Sequence, residues 1–202
     1  MMSSADDDFA RLGLPRRAAL TAAEVRTAFQ KAAAAAHPDH SADAVEKAAR
    51  TDDFTKLNEA SARLSATTTR LKHLLALEYP GHAGGGRSVV MDDALVSLFS
   101  QVGGAVQAAA QWAARQRAAA TFLAKAALAG DEMLAREGLE TAGEKLRAAL
   151  DSQQAALMEM DRRRAENQDV ADELAALGQR AAFLEKWQAQ LQSAWAGMFG
   201  AG

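Results

Sequence analysis

Pro38 constrains this chain more than any other residue. Val25, Ala28, Phe29, Ala32 and Ala36 recur at intervals of three and four residues, so an amphipathic helix runs into it from Thr21. A second, longer helical pattern leaves it after Ser41. Proline lacks an amide hydrogen, cannot continue a helix, and biases the residue before it away from the helical conformation. His37-Pro38-Asp39 therefore belongs to a loop between two helices, at the tip of a helical hairpin where a partner can reach a His and an Asp. Thr21 and Glu24 have the spacing of a capping box at the start of the first helix. Arg26 and Lys31 fall off its apolar face.

Hydrophobic residues make up 49% of the 202, yet aromatics are only 5%, because much of the apolar content is alanine. Alanine favours helix and fills little volume, which predicts long helices around thin cores. With three prolines, one tyrosine and few β-branched runs, nothing favours a sheet, and the expected class is all-α. The absence of cysteine removes disulfides, thiolate catalysis and cysteine ligation of a metal or cluster. A net charge of −3 offers no global polycation for nucleic acid. The start MMSSADDDF is unlike a signal peptide, and charges interrupt every apolar stretch before it could span a bilayer. A cytoplasmic protein with no nucleic-acid or membrane partner is expected.

Residues 1–8 read as a disordered acidic leader, and Phe9, Leu12 and Leu14 as a short apolar turn stopped by Gly13 and Pro15. Asp43 can cap the second hairpin helix, which is expected to reach Leu77 with a kink near Asp52-Asp53. Its buried side is marked by Phe54, Leu57, Leu64, Leu71, Leu74 and Leu75. The stretch EYPGHAGGGRS is the clearest linker and sets a boundary at residues 80–90.

Residues 91–197 then read as helices with short connections, an antiparallel three-helix bundle or a long hairpin with a third packed member. Asp92 or Asp93 starts a helix carrying Leu95, Leu98, Phe99, Trp112, Phe122 and Leu123, weakened at Gly103-Gly104. Gly130-Asp131 marks a stop before a helix with Met133, Leu134 and Leu139, and DRRRAENQD forms the turn into the last helix. Residues 198–202 are expected to fray.

Other features have plain structural explanations. His73 and His82 are too isolated for a metal site and are expected at the surface, and Arg162-Arg163-Arg164 at a solvated helix end. Phe183, Trp187 and Trp195 have the spacing of a core stripe. No nucleophile, oxyanion site or phosphate-binding loop accompanies His37 and Asp39, so no enzyme, metal or cofactor is indicated.

The segment FARLGLP, the run FQKAAAAAHPDH and the segment LNEASARLSATTTRLKHLLAL at residues 57–77 together resemble the J-domain of the HscB family, co-chaperones of iron–sulfur cluster assembly. The likeness covers residues 9–79 closely. It is looser beyond, where LVSLF at 95–99 and AAFLEKWQAQL at 181–191 are similar to the family's client-binding bundle. The resemblance implies an L-shaped all-α protein with an N-terminal J-domain, residues 9–79, and a C-terminal bundle, residues 91–197. It implies docking on a DnaK/HscA-type heat-shock chaperone through His37, Pro38 and Asp39, aided by Arg26 and Lys31, with stimulation of that partner's ATP hydrolysis. It also implies delivery of an IscU-like scaffold bound at Leu95, Val96, Phe99 and Phe183.

The chain departs from the family pattern in the unbroken alanine between Lys31 and His37, in His40 where lysine commonly follows, and in Ser97, Ser100 and Gln101 where glutamates are usual. A second class of function fits those departures, a helical scaffold or oligomerisation module whose J-domain is degenerate.

Overall fold

The structure, a computed structural model, describes residues 7–35, 44–82 and 92–199. Among the described residues every regular element is a helix and none is a strand, as the all-α expectation requires. They gather into two compact units, one within residues 1–87 and 154–181 and the other within 88–153 and 182–202. No helix among them is long and apolar enough to cross a membrane.

The first unit opens with α1, Asp8–Arg11. The expected leader ends earlier than residue 8, because Asp7 and Asp8 are both buried. Asp7 Oδ1 accepts the amides of Phe9 and Ala10 at 3.0 and 3.3 Å, capping α1, and its Oδ2 accepts two bonds from Arg16. Gly13, at φ +65, turns the chain so that the Leu14 amide donates back to Phe9.

The capping box at the start of α2, Ala22–Ala35, forms as its spacing predicts. The Glu24 amide donates to Thr21 Oγ1 at 3.2 Å, and the Thr21 amide donates to Glu24 Oε2 at 2.7 Å. Helix α2 packs on α3, Ala44–Ser65, with the Phe29 and Phe54 rings 6.3 Å apart and Arg50 Nη1 donating to the Ala35 carbonyl at 3.5 Å. These contacts advance along α3 as they retreat along α2, so the two helices are antiparallel. The residues that join them, 36–43, lie outside the described residues, as does the proposed cap Asp43.

The kink expected at Asp52-Asp53 is absent; α3 is unbroken there and Asp52 pairs with Lys56 one turn on. The break falls instead at Ala66, whose ψ of 132 is extended, before α4, Thr67–Glu78. Side chains satisfy the carbonyls freed by the break. Thr69 Oγ1 donates to the Arg63 carbonyl and Arg70 Nη1 to that of Leu64 at 2.8 Å.

Two further helices complete this unit, through the adjoining parts of α7, Ala129–Ala165, and α8, Ala171–Phe199. Leu157, Met160, Val170 and Leu174 share one buried cluster with Phe9, Leu12, Leu20, Val25, Leu57, Leu64, Leu71 and Leu74. Asp161 accepts the amides of Ala18 and Ala19 at 2.7 and 2.9 Å, while Gln154 Nε2 donates to the Ala19 carbonyl. Arg164 donates to the Arg16 carbonyl and pairs with Glu78 and Asp161. The arginine run is therefore not wholly a solvated helix end: Arg162 is exposed, but Arg164 is drawn into the loop–helix contact. Asp161→Ala strips two amides of their acceptor, and we expect a loss of about 2–3 kcal/mol, read from amide exchange of α4 in increasing urea.

In the second unit, Asp92 caps the start of α5, Asp93–Ala118, by accepting the Leu95 amide at 2.7 Å. The helix continues through Gly103-Gly104. It stops at Ala118, so Phe122 and Leu123 leave the expected stripe and stand exposed on a short helix, α6, Phe122–Ala126, capped by Thr121. Gly130-Asp131 is likewise not a stop, because α7 starts at Ala129 and runs over it, with Asp131 paired to Arg115 at 2.8 Å. Met133 and Leu134 are exposed.

The turn between α7 and α8 comes after Ala165, at Asn167 with φ 59, and Asp169 accepts the Ala171 amide. Helix α8 reaches Phe199 with Met198 buried, so the expected frayed tail is ordered at those two positions. The core of this unit joins Leu95, Leu98, Val102 and Trp112 of α5 to Leu139 and Leu146 of α7 and to Leu184, Trp187 and Leu191 of α8.

Candidate functional site

Among the described residues no group of three or more His, Asp or Glu is placed to hold a metal ion. What the structure offers is two separate surfaces, one in each unit.

The first surface is the hairpin of α2 and α3. His37, Pro38 and Asp39 lie outside the described residues, between the end of α2 and the start of α3. Arg26 and Lys31 are both exposed on α2, on the side away from Val25, Ala28 and Phe29, which turn toward the core. The hairpin rests on a polar scaffold that holds its far end. Arg70, only 1% exposed, sends Nε to the Ala18 carbonyl at 3.0 Å, Nη1 to Leu64 and Nη2 to Thr67 Oγ1 at 3.1 Å. It ties the α3–α4 break to the loop that leads into α2.

His73 also departs from expectation. It is buried, not at the surface, and its ring stacks on Phe9 with centroids 5.7 Å apart. His82 is exposed, 3.8 Å from Asp172.

The second surface is aromatic. Of the four residues expected to face a client, Leu95 does not: it is 2% exposed and packs inward with Leu98 and Val102 at intervals of three and four residues. Val96 and Phe99, on the stripe of α5 that borders this inward face, are exposed, Phe99 by 55%. Phe183, from α8, is partly buried against the same core. Trp187 brings the last two together, its ring centroid 6.0 Å from Phe99 and 5.9 Å from Phe183, and the tilted planes suit edge-to-face contact. The surface therefore consists of Val96, Phe99 and Phe183 over a buried indole, while Gln101 Nε2 donates to Ser97 Oγ on another flank of α5.

Spacing along α8 marked Trp187 as core but carried no sign that it supports both phenylalanines from below. No family model, no curated protein and no solved structure matches this chain.

Proposed function

We propose that this chain is an HscB-like J-domain co-chaperone. The J-domain is built on α1 to α4, and α5, α7 and α8 form a three-helix client-binding bundle. Its partner is a DnaK/HscA-type heat-shock chaperone, its client an IscU-like scaffold, and its setting iron–sulfur cluster assembly. The observation that carries this reading is that His37-Pro38-Asp39 occupies the segment joining two antiparallel helices, of which the first bears exposed Arg26 and Lys31.

Such a protein needs no chemistry of its own. It accelerates its partner by binding the hydrolysis-competent state more tightly than the resting one, and a presented loop beside a charged helix is enough for that. The two exposed cations steer the encounter with an acidic chaperone surface, and their small number makes the docking less salt-sensitive than a fully basic helix would be.

At the other surface, exposed Val96 and Phe99 with half-buried Phe183 supply the apolar anchors around which protein interfaces concentrate their energy. Uncharged Ser97, Ser100 and Gln101 beside them favour a client contact that depends on apolar burial more than on ion pairs. Single-turnover ATP hydrolysis by a DnaK-type chaperone, with and without this chain, tests the reading. Acceleration is expected, and none at saturating protein removes it.

A further inference from the structure

We propose that His73 is an acid-sensitive latch, holding α1 against the first unit while its Nε2 is unprotonated and releasing α1 when that nitrogen takes up a proton. The inference stands apart from the chaperone reading, since it concerns how the N-terminal helix is held.

The geometry leaves no other protonation state at neutral pH. The Asp8 amide donates to His73 Nε2 at 3.1 Å, so that nitrogen must present a lone pair. A proton there would set two N–H groups against each other. His73 is 6% exposed and stacked on Phe9, so the ring has little room to turn away.

The charged groups around it are Asp7 and Asp8 at the start of α1, Arg63 on α3 and Arg16 in the following loop. Asp8 Oδ2 stands 3.8 Å from Nε2 and would favour a charged ring. That oxygen is already bonded to Arg63, however, and Asp7 to Arg16. Burial, partly opposed by Asp8 and reinforced by Arg63, holds the imidazole below its ordinary value of 6.5. A histidine lowered on folding contributes stability that is complete above 6.5 and is lost as pH falls toward its folded midpoint. What gives way is the contact His73 makes, the first turn of α1.

The test is NMR of the full-length, nitrogen-15-labelled chain, titrated from about pH 7.5 to about pH 5, the range in which histidine changes charge. The wild type should show His73 with a bare Nε2 at the upper end and a midpoint below the ordinary histidine value of 6.5. After correction for intrinsic exchange, the opening constant of the Arg11 and Leu12 amides should rise by up to about tenfold per pH unit between 6.5 and the His73 midpoint. The Leu139 amide should not follow. His73→Gln offers an oxygen to the Asp8 amide at every pH, so its α1 protection should be flat across the range.

A proton on Nε2 at neutral pH, flat α1 protection in the wild type, or equal pH dependence in the variant would overturn the latch. Should His73→Gln fail to fold, the wild type decides alone. Coincident midpoints for the His73 ring and the α1 amides support the proposal, and separate midpoints refute it.

Discussion

Arg70→Ala should destabilise the first unit by about 3–5 kcal/mol, the range for removing a buried charged group whose partners stay behind unpaired. Its guanidinium is the donor to the Ala18 and Leu64 carbonyls, both left in a buried site without it, and to half-buried Thr67 Oγ1. Leu64 matters most. Its carbonyl is freed by the break at Ala66, so without Arg70 the α3–α4 corner carries an unmet acceptor beside fully buried Leu71 and Leu74. Arg70→Met restores the stem but not the donors, and should recover less than half of the loss. Amide exchange at Leu71, Leu74 and Leu75 measures both variants. A cost below about 1 kcal/mol for Arg70→Ala would show that these bonds contribute no more than a typical exposed ion pair.

Phe99→Ala combined with Phe183→Ala should weaken the binding of an IscU-like scaffold by about 2–4 kcal/mol, or roughly thirty- to a thousandfold in Kd. Phe99 is more than half exposed, so its removal costs the bundle little, whereas a bound client would cover the same ring. Phe183 is partly buried and packs on Trp187, so part of its effect is lost support for the surface. The two share Trp187, and their effects should not add. Leu95→Ala makes a poor probe of the same face, because it opens a cavity in the core and weakens the bundle itself. Calorimetric titration of the scaffold against wild type and the double variant checks this, and an unchanged Kd would remove the proposed client face.

What could be read from the residues alone follows a simple physical line. The Thr21–Glu24 box was legible because both partners lie within one turn, and the faces of α2 and α3 because apolar spacing of three and four residues reports a buried stripe. Spacing does not say which of two neighbouring stripes meets a partner helix. Leu95 and Phe99 are apolar residues one turn apart on α5, yet one is core and the other surface, a choice made by where α7 and α8 pack. The same limit applies to Phe122 and Leu123, which continue the α5 stripe in sequence after the helix itself has ended.

Least legible were the long-range polar contacts. Asp161 meets Ala18 across 143 positions, and His73 meets Asp8 across 65, with no local pattern at either end. An isolated histidine and an acidic leader look like surface until the fold places one over the other. The extension of the first unit into residues 154–181 was hidden for the same reason, since a linker signal locates a joint in the chain and not the helices that later return to it.

The central claim is that His37-Pro38-Asp39 transmits a stimulus to a DnaK/HscA-type chaperone, and single-turnover ATP hydrolysis with His37→Gln tests it most directly. The wild-type chain should accelerate hydrolysis, and His37→Gln, matched to it in helix content and thermal unfolding, should lose at least about nine-tenths of that acceleration, a transition-state difference of about 1.4 kcal/mol or more. Equal acceleration by the two proteins, or none by the wild type, would contradict the account and leave a helical scaffold whose His37-Pro38-Asp39 segment transmits nothing.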